Sequence, residues 1–111
     1  MSAGRLTERV AFDAPTQAPD GSGGVEVGWA EQFISSAQFI YSRGSEAVDA
    51  ARLQGRAIYK VKVRSSTKSR SITTDYRMRD VRRGTEYQIR EVDPITDRAW
   101  VYLVVESGVA V

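Results

Sequence analysis

The segment RAIYKVKVR, residues 56–64, sets Tyr59, Val61 and Val63 on one face and Lys60, Lys62 and Arg64 on the other. A period of two is the mark of a strand with one covered face. Such a strand needs a sheet whose apolar side is closed off from water. The same alternation opens the chain. In LTERVAF, residues 6–12, Leu6, Val10 and Phe12 share a face, with Glu8 between them. VEVGW, residues 25–29, restarts it through Val25, Val27 and Trp29, and AQFIYS, residues 37–42, continues it through Ala37, Phe39 and Tyr41. TEYQIREV, residues 85–92, points Tyr87 and Ile89 inward. RAWVYLVVE, residues 98–106, is apolar on both faces, the pattern of a strand buried on two sides. DPITD, residues 93–97, is a turn around Pro94, so the last two strands form a hairpin.

Breakers punctuate these strands. APTQAPDGSGG, residues 14–24, reads as an exposed loop too long for a tight turn. RSSTKSRSITT interrupts the pattern after Arg64, and DYRMRDVRRG leads into a turn at Gly84. The helical signal is short. Ser45 is an N-cap, Glu46 suits the first turn, Gly55 follows the end, and Ala47, Val48, Ala51 and Leu53 form a thin apolar face. The expected fold is mainly β: a small barrel, or a compact sandwich, of five to six short strands. One short α-helix packs across an opening, and the loops are long. The 111 residues suffice for a single domain, residues 1–111.

The chain has no cysteine, which excludes disulfides, thiolate zinc sites and thiol nucleophiles, and no histidine, which excludes His-dependent triads. An enzyme is not expected, nor a metal or a cofactor. Asp93 with Asp97, and Asp75 with Asp80, are close enough in sequence to suggest paired carboxylates, but the first pair brackets a Pro turn, where Asp is a good turn former. DGSGG lacks the Lys-Ser/Thr of a phosphate loop. Trp29 and Trp100 read as core anchors. No apolar run approaches the ~20 residues of a membrane span. MSAGRLTERV has no apolar stretch of the signal-peptide kind, so no signal peptide or membrane association is expected.

Charge is unevenly placed. Residues 1–50 carry three basic and seven acidic side chains, and residues 51–111 carry thirteen basic and seven acidic. Opposite-signed halves suit self-association. The basic concentration at Arg52, Arg56, Lys60, Lys62, Arg64, Lys68, Arg70, Arg77, Arg79, Arg82 and Arg83 suits a polyanion, and within that stretch only Asp75 and Asp80 oppose it. Sequence-specific base reading is not supported, because Tyr59 lies on the strand face opposite Lys60 and Lys62.

The order GRLTERVAF, GGVEVGW, AQFIYSRGSEAVDAARLQG, YKVKVR, DYRMRDVRRGTEYQIREV and WVYLVVE, from Gly4 to Glu106, resembles the phage head–tail joining proteins. These are also called head-closure or stopper proteins, of long-tailed phages and gene transfer agents. The pieces that carry the likeness are Gly23, Gly24 and Trp29; the SRGSEAVDAARLQ segment; and the spacing Arg79, Gly84, Tyr87, Ile89. The chain departs from the family's Ile-Arg-Tyr-like strand end in having Val63-Arg64-Ser65.

The resemblance implies a small β-barrel with a short helix and no chemistry. It implies a homo-oligomeric ring, six- or twelvefold, between the portal adaptor protein and a tail terminator or tail tube protein. It places the protein at the head–tail junction of a virion or phage-like particle assembled in the host bacterial cytoplasm, with double-stranded DNA contacted non-specifically in the channel. On this reading Arg52, Arg56, Lys60, Lys62, Arg64, Lys68 and Arg70 face the channel or a subunit contact. Asp20, Gly21, Ser22, Gly23 and Gly24 form a docking loop, and Ser45–Gln54 and Ser65–Thr74 lie at the lumen or at subunit contacts. The competing reading is a free-standing basic β-barrel that binds nucleic acid through Lys60, Lys62, Arg64, Lys68 and Arg70.

Overall fold

A computed structural model describes residues 6–41, 53 and 55–108. Six strands are formed: β1 (Glu8–Pro19), β2 (Val25–Tyr41), β3 (Ile58–Arg64), β4 (Arg77–Asp80), β5 (Glu86–Asp93) and β6 (Trp100–Ser107). They close into an antiparallel barrel in the order β1-β2-β3-β6-β5-β4, with β4 returning to β1. Closure removes the sheet edges that an open β-structure would expose.

The interior follows the period of two. Val10 and Phe12 of β1, Ala37 of β2, Val61 and Val63 of β3, Met78 of β4, Tyr87 and Ile89 of β5, and Val101, Leu103 and Val105 of β6 form one buried cluster. Phe33, Phe39, Tyr59, Tyr76 and Val92 pack around it. Phe12 stacks on Phe33 with ring centres 5.0 Å apart. Burial of such a side chain is worth roughly 1.5–3 kcal/mol.

Three expectations about the elements need correction. First, most of the expected loop at residues 14–24 is strand. β1 runs to Pro19 and pairs with β2 from Pro19↔Val25 to Ala14↔Ala30, leaving only residues 20–24 as a turn. Beyond Asp13, β1 pairs with β2 alone, so the segment Ala14–Pro19 has an open edge. Pro15 and Pro19 are four residues apart and share a phase of the ladder, so both proline nitrogens fall on that edge, where no donor is needed. Second, VEVGW and AQFIY, residues 25–29 and 37–41, are the two ends of a single 17-residue strand. Third, β4 lies inside DYRMRDVRRG, where charge density hid a strand of only four residues. The helix expected over Ser45–Gln54 falls, apart from Leu53, outside the described residues.

The tip turn is tightly organised. Asp20 Oδ1 accepts N–H bonds from Ser22 at 2.8 Å and Gly24 at 3.1 Å, while the Asp20 N–H donates to the Gly24 carbonyl. A Cβ on Gly24 would sit 2.8 Å from Asp20 Oδ2. At the β4–β5 hairpin, Gly84 has φ +77, and its N–H donates to the Asp80 carbonyl.

A β-bulge shapes the barrel's exit. The register steps from Phe12↔Phe33 to Asp13↔Glu31, leaving Gln32 without an opposite residue. One extra residue reverses which side each later residue faces. Odd-numbered residues of β2 that point inward at Phe33 and Ala37 therefore point outward at Trp29, Val27 and Val25. The result is a two-stranded ribbon, Ala14–Pro19 with Val25–Ala30, standing off the barrel and about 20 Å long at the usual strand rise.

Asp13 marks the junction. Its buried carboxylate accepts from Arg79 Nε at 2.7 Å, Arg79 Nη2 at 3.0 Å and Arg77 Nε at 2.9 Å. Arg79 continues to Glu31 at 2.7 Å and Arg77 to Glu86 at 3.2 Å. Burial alone would raise the Asp13 carboxyl, but the arginine hydrogen bonds outweigh it and hold it below its ordinary value. Asp80 behaves alike. Burial opposes its charge, while the Arg83 side chain and the Arg83 and Arg82 N–H groups lower it.

A depressed folded value means that the unfolded chain takes up the proton first as pH falls. The stabilisation is therefore complete above the unfolded carboxylate range near ~4 and disappears as pH falls through the folded values. Asp13→Asn is expected to cost about 3 kcal/mol at neutral pH, because two arginines lose their buried partner, and to flatten the acid limb of stability. Denaturant unfolding across a pH series checks both. Gly84→Ala should cost about 1 kcal/mol, since an L-residue resists that φ, and the same unfolding assay measures it.

Candidate interaction surfaces

The basic side chains that looked unopposed in sequence separate into two groups once the barrel closes. Carboxylates from distant strands answer one group. Arg77 and Arg79 hold Asp13, Arg83 bridges Glu8 at 2.6 Å and Asp80 at 2.7 Å, and Arg82 Nη1 donates to the Thr7 carbonyl. Arg56 lies 2.8 Å from Glu106, whose other oxygen is 3.2 Å from Arg90. Of the candidate site residues, Arg56 is thus an ion-pair member of the barrel wall. Arg52 lies outside the described residues.

The second group forms a surface. Lys60, Lys62 and Arg64 alternate outward along β3, and β6 is the next strand, with Lys62↔Tyr102 and Arg64↔Trp100 in register. Lys60 Nζ lies 4.8 Å from the centre of the Tyr102 ring. Lys62 Nζ is 4.2 Å, and Arg64 Cζ 5.1 Å, from the Trp100 ring centre. Cations over ring faces at these distances are attracted by the ring quadrupole. This corrects two expectations. Trp100 is not part of the buried core, and the outer face of β6 is half-buried, with cationic side chains over its rings. Trp29 is likewise outside the barrel, under the Arg77 guanidinium at 4.7 Å.

Lys68 and Arg70 follow on an ordered loop. Ser69, buried within a one-turn 3₁₀ helix (Ser69–Ser71), donates to the Arg64 carbonyl at 2.8 Å and accepts from the Ser66 N–H at 2.7 Å. The loop therefore holds its shape while Lys68 and Arg70 stay exposed, with Arg70 Nη1 donating to Ser65 Oγ at 2.9 Å. Lys60, Lys62, Arg64, Lys68 and Arg70 thus follow one another from strand to loop.

The ribbon is the second surface. Val25 and Val27 are 58% and 72% exposed on its outward face, beside Pro15, Gln17 and Pro19. The candidate docking residues Asp20–Gly24 form its tip.

A depression of about 320 Å³ at one barrel end is lined by Glu8, Phe39, Tyr59, Arg83 and Tyr87. Its charged groups already pair with each other, and its rings pack on one another at 5.4–6.1 Å. Burial, then the neighbouring Tyr59, pushes the Tyr87 hydroxyl up. The carboxylates singled out in sequence have structural partners. Asp93 Oδ1 accepts from the Ile95 and Thr96 N–H groups, and Asp97 Oδ1 from Ala99. Hydrogen bonds from Thr96 lead the causes that lower Asp93. Among the described residues no three acidic side chains gather as a metal site.

Sequence reasoning missed Trp100 and Tyr102 as partners of the β3 cations. The double-sided apolar pattern of β6 was visible, but which strand would lie beside it was not. It also missed Asp13, which is 64 residues from Arg77 in sequence.

A family model described as phage head completion protein matches residues 1–108. No curated protein sequence matches the chain significantly. In fold it is similar to the solution structure of protein SF1141 from Shigella flexneri 2a, with a TM-score of 0.73, 17% identity and 97% of each chain covered. It is also similar to a chain in the virion of a native gene transfer agent particle, with a TM-score of 0.63, 18% identity, and 94% and 96% of the two chains covered. At these identities the two likenesses show a common barrel architecture. With nearly all of its length inside the family match, the chain belongs to the phage head completion proteins.

Proposed function

We propose that this protein is a structural connector at the head–tail junction of a phage or phage-like gene transfer particle. It forms a homo-oligomeric ring between the portal adaptor and the tail terminator or tail tube, retains packaged double-stranded DNA and presents the tail docking surface. The family match over residues 1–108 carries this reading. The geometry supports it. The buried carboxylates are held in ion pairs, and the candidate acid pairs serve turns or lie exposed, so the role assigned is structural and no catalytic step is included. What the barrel presents outward are a ribbon and a cationic face.

Within this proposal Lys68 and Arg70 are the channel-facing cations. They are exposed on a loop of fixed shape and attract a phosphate backbone without reading its bases. The ribbon tip Asp20–Gly24 is a docking element. One observation favours the competing reading of a free-standing nucleic-acid-binding barrel: Trp100 and Tyr102 lie among Lys60, Lys62 and Arg64, and aromatic rings among cations are the components of a single-strand stacking platform.

Cryo-electron microscopy of particles from the source cells should find the chain as a ring on the portal axis. Complete tailed particles lacking it would overturn the connector. The isolated protein should bind duplex DNA weakly at about 0.15 M salt. Lys68→Glu with Arg70→Glu should leave that weak binding little changed while particles lose packaged DNA or fail to assemble. Sub-micromolar binding by wild-type monomer, abolished by the same pair, would favour the rival; filter binding and particle DNA content measure the two.

A further inference from the structure

We infer that the β1–β2 ribbon of one copy docks on the outer β3–β6 face of the next copy. This rests on the ring reading above and names the contact that would build the ring.

Among the described residues both surfaces present exposed side chains, Val25 and Val27 on the ribbon and Lys60 and Arg64 on β3. Residues 14–30 contain Asp20 and Glu26 and no basic side chain. Their outward row is mostly apolar, with Val25 and Val27 mostly exposed beside Pro15 and Pro19, and Gln17 opposite Val27. The β3–β6 face is opposite in charge along β3, with Asp93 of β5 at its margin near Lys60, and alike in texture. Lys60, Lys62 and Arg64 stand over the Tyr102 and Trp100 rings, so alkyl stems and ring edges lie between positive head groups. The apolar row complements the stems and ring edges in polarity, and the ribbon's two carboxylates, Asp20 at its tip and Glu26 on its other face, give it a net charge opposite to the lysine row.

The backbone argues for contact through the ribbon's face. A two-stranded ribbon is marginal by itself in water and gains stability from packing. Sheet extension between ribbons is hindered along β1, where Pro15 and Pro19 remove donors from the open edge. The ribbon and the β3–β6 face are different patches of one molecule. A contact between them is therefore heterologous and propagates from copy to copy until it closes. A face-to-face dimer would instead use one patch twice.

The absence of cysteine makes the test clean. Val27→Cys and Lys62→Cys are placed together in one chain, which is incorporated into particles and oxidised. The expected result on a non-reducing gel is a ladder of dimer, trimer and higher species, absent from either single variant. Dimers from Val27→Cys alone would mean that ribbons meet each other, and would overturn the inference. A chain present at the junction but not cross-linked would also overturn it, leaving the ring reading intact. A chain absent from particles would remove both.

A charge exchange guards against misfolding of the cysteine variants. Gln17→Lys with Val27→Lys, both on the docking row, and separately Lys60→Glu with Lys62→Glu, should each lower incorporation into particles by about tenfold, the change set by ~1.4 kcal/mol of coupling. Combining the four changes should recover it, and failure to recover would overturn the docking pair.

Discussion

Asp13 is the point on which this architecture turns. A carboxylate buried at the wall of a small barrel is tolerable only if its charge is answered, and Arg77 and Arg79 of β4 answer it from both sides. The same residue sits at the register step where β2 carries an extra Gln32. One ion cluster therefore closes the barrel between its first and fourth strands and sets the place where β1 and β2 leave it as a ribbon. Trp29 under Arg77, Glu31 beside Arg79 and Glu86 beside Arg77 extend the cluster across four neighbouring strands, β5, β4, β1 and β2.

Much of the barrel was legible in residues taken one strand at a time. The alternation in YKVKVR assigned Tyr59, Val61 and Val63 to the interior, and TEYQIREV did the same for Tyr87 and Ile89, as the structure has them. The mainly β class and the resemblance to head-closure proteins also agree with the closed barrel and the family match. What failed was whatever depended on partners. Pro15 and Pro19 look like loop residues until β1 is known to have an open edge there. Val25, Val27 and Trp29 look like core until the bulge at Gln32 reverses their face. β4 is too short and too charged to announce itself, and becomes a strand because β1 and β5 flank it.

The surfaces were less legible than the fold for a related reason. A count of charges along residues 52–83 sees a basic run opposed by two acids. The fold brings in Asp13, Glu8, Glu31, Glu86 and Glu106 from other strands, and the run divides into a wall paired to carboxylates and a face whose cations lie over the Trp100 and Tyr102 rings. The aromatic members of that face come from β6, some forty residues further along. Proximity in space, not density in sequence, decides which cations are available to a partner.

The barrel's staves are unequal, and that gives it a built-in order of opening. β3 and β6 are paired along seven residues, with rings and cationic side chains across their outer side and Glu106 held between Arg56 and Arg90 at one end. β4 has four residues, meets β1 over four and β5 over three, and depends on carboxylates that acid neutralises. Acid or mechanical load would therefore part the cylinder at β4 first. It would hinge open toward the ribbon's root while the β3–β6 wall stayed whole.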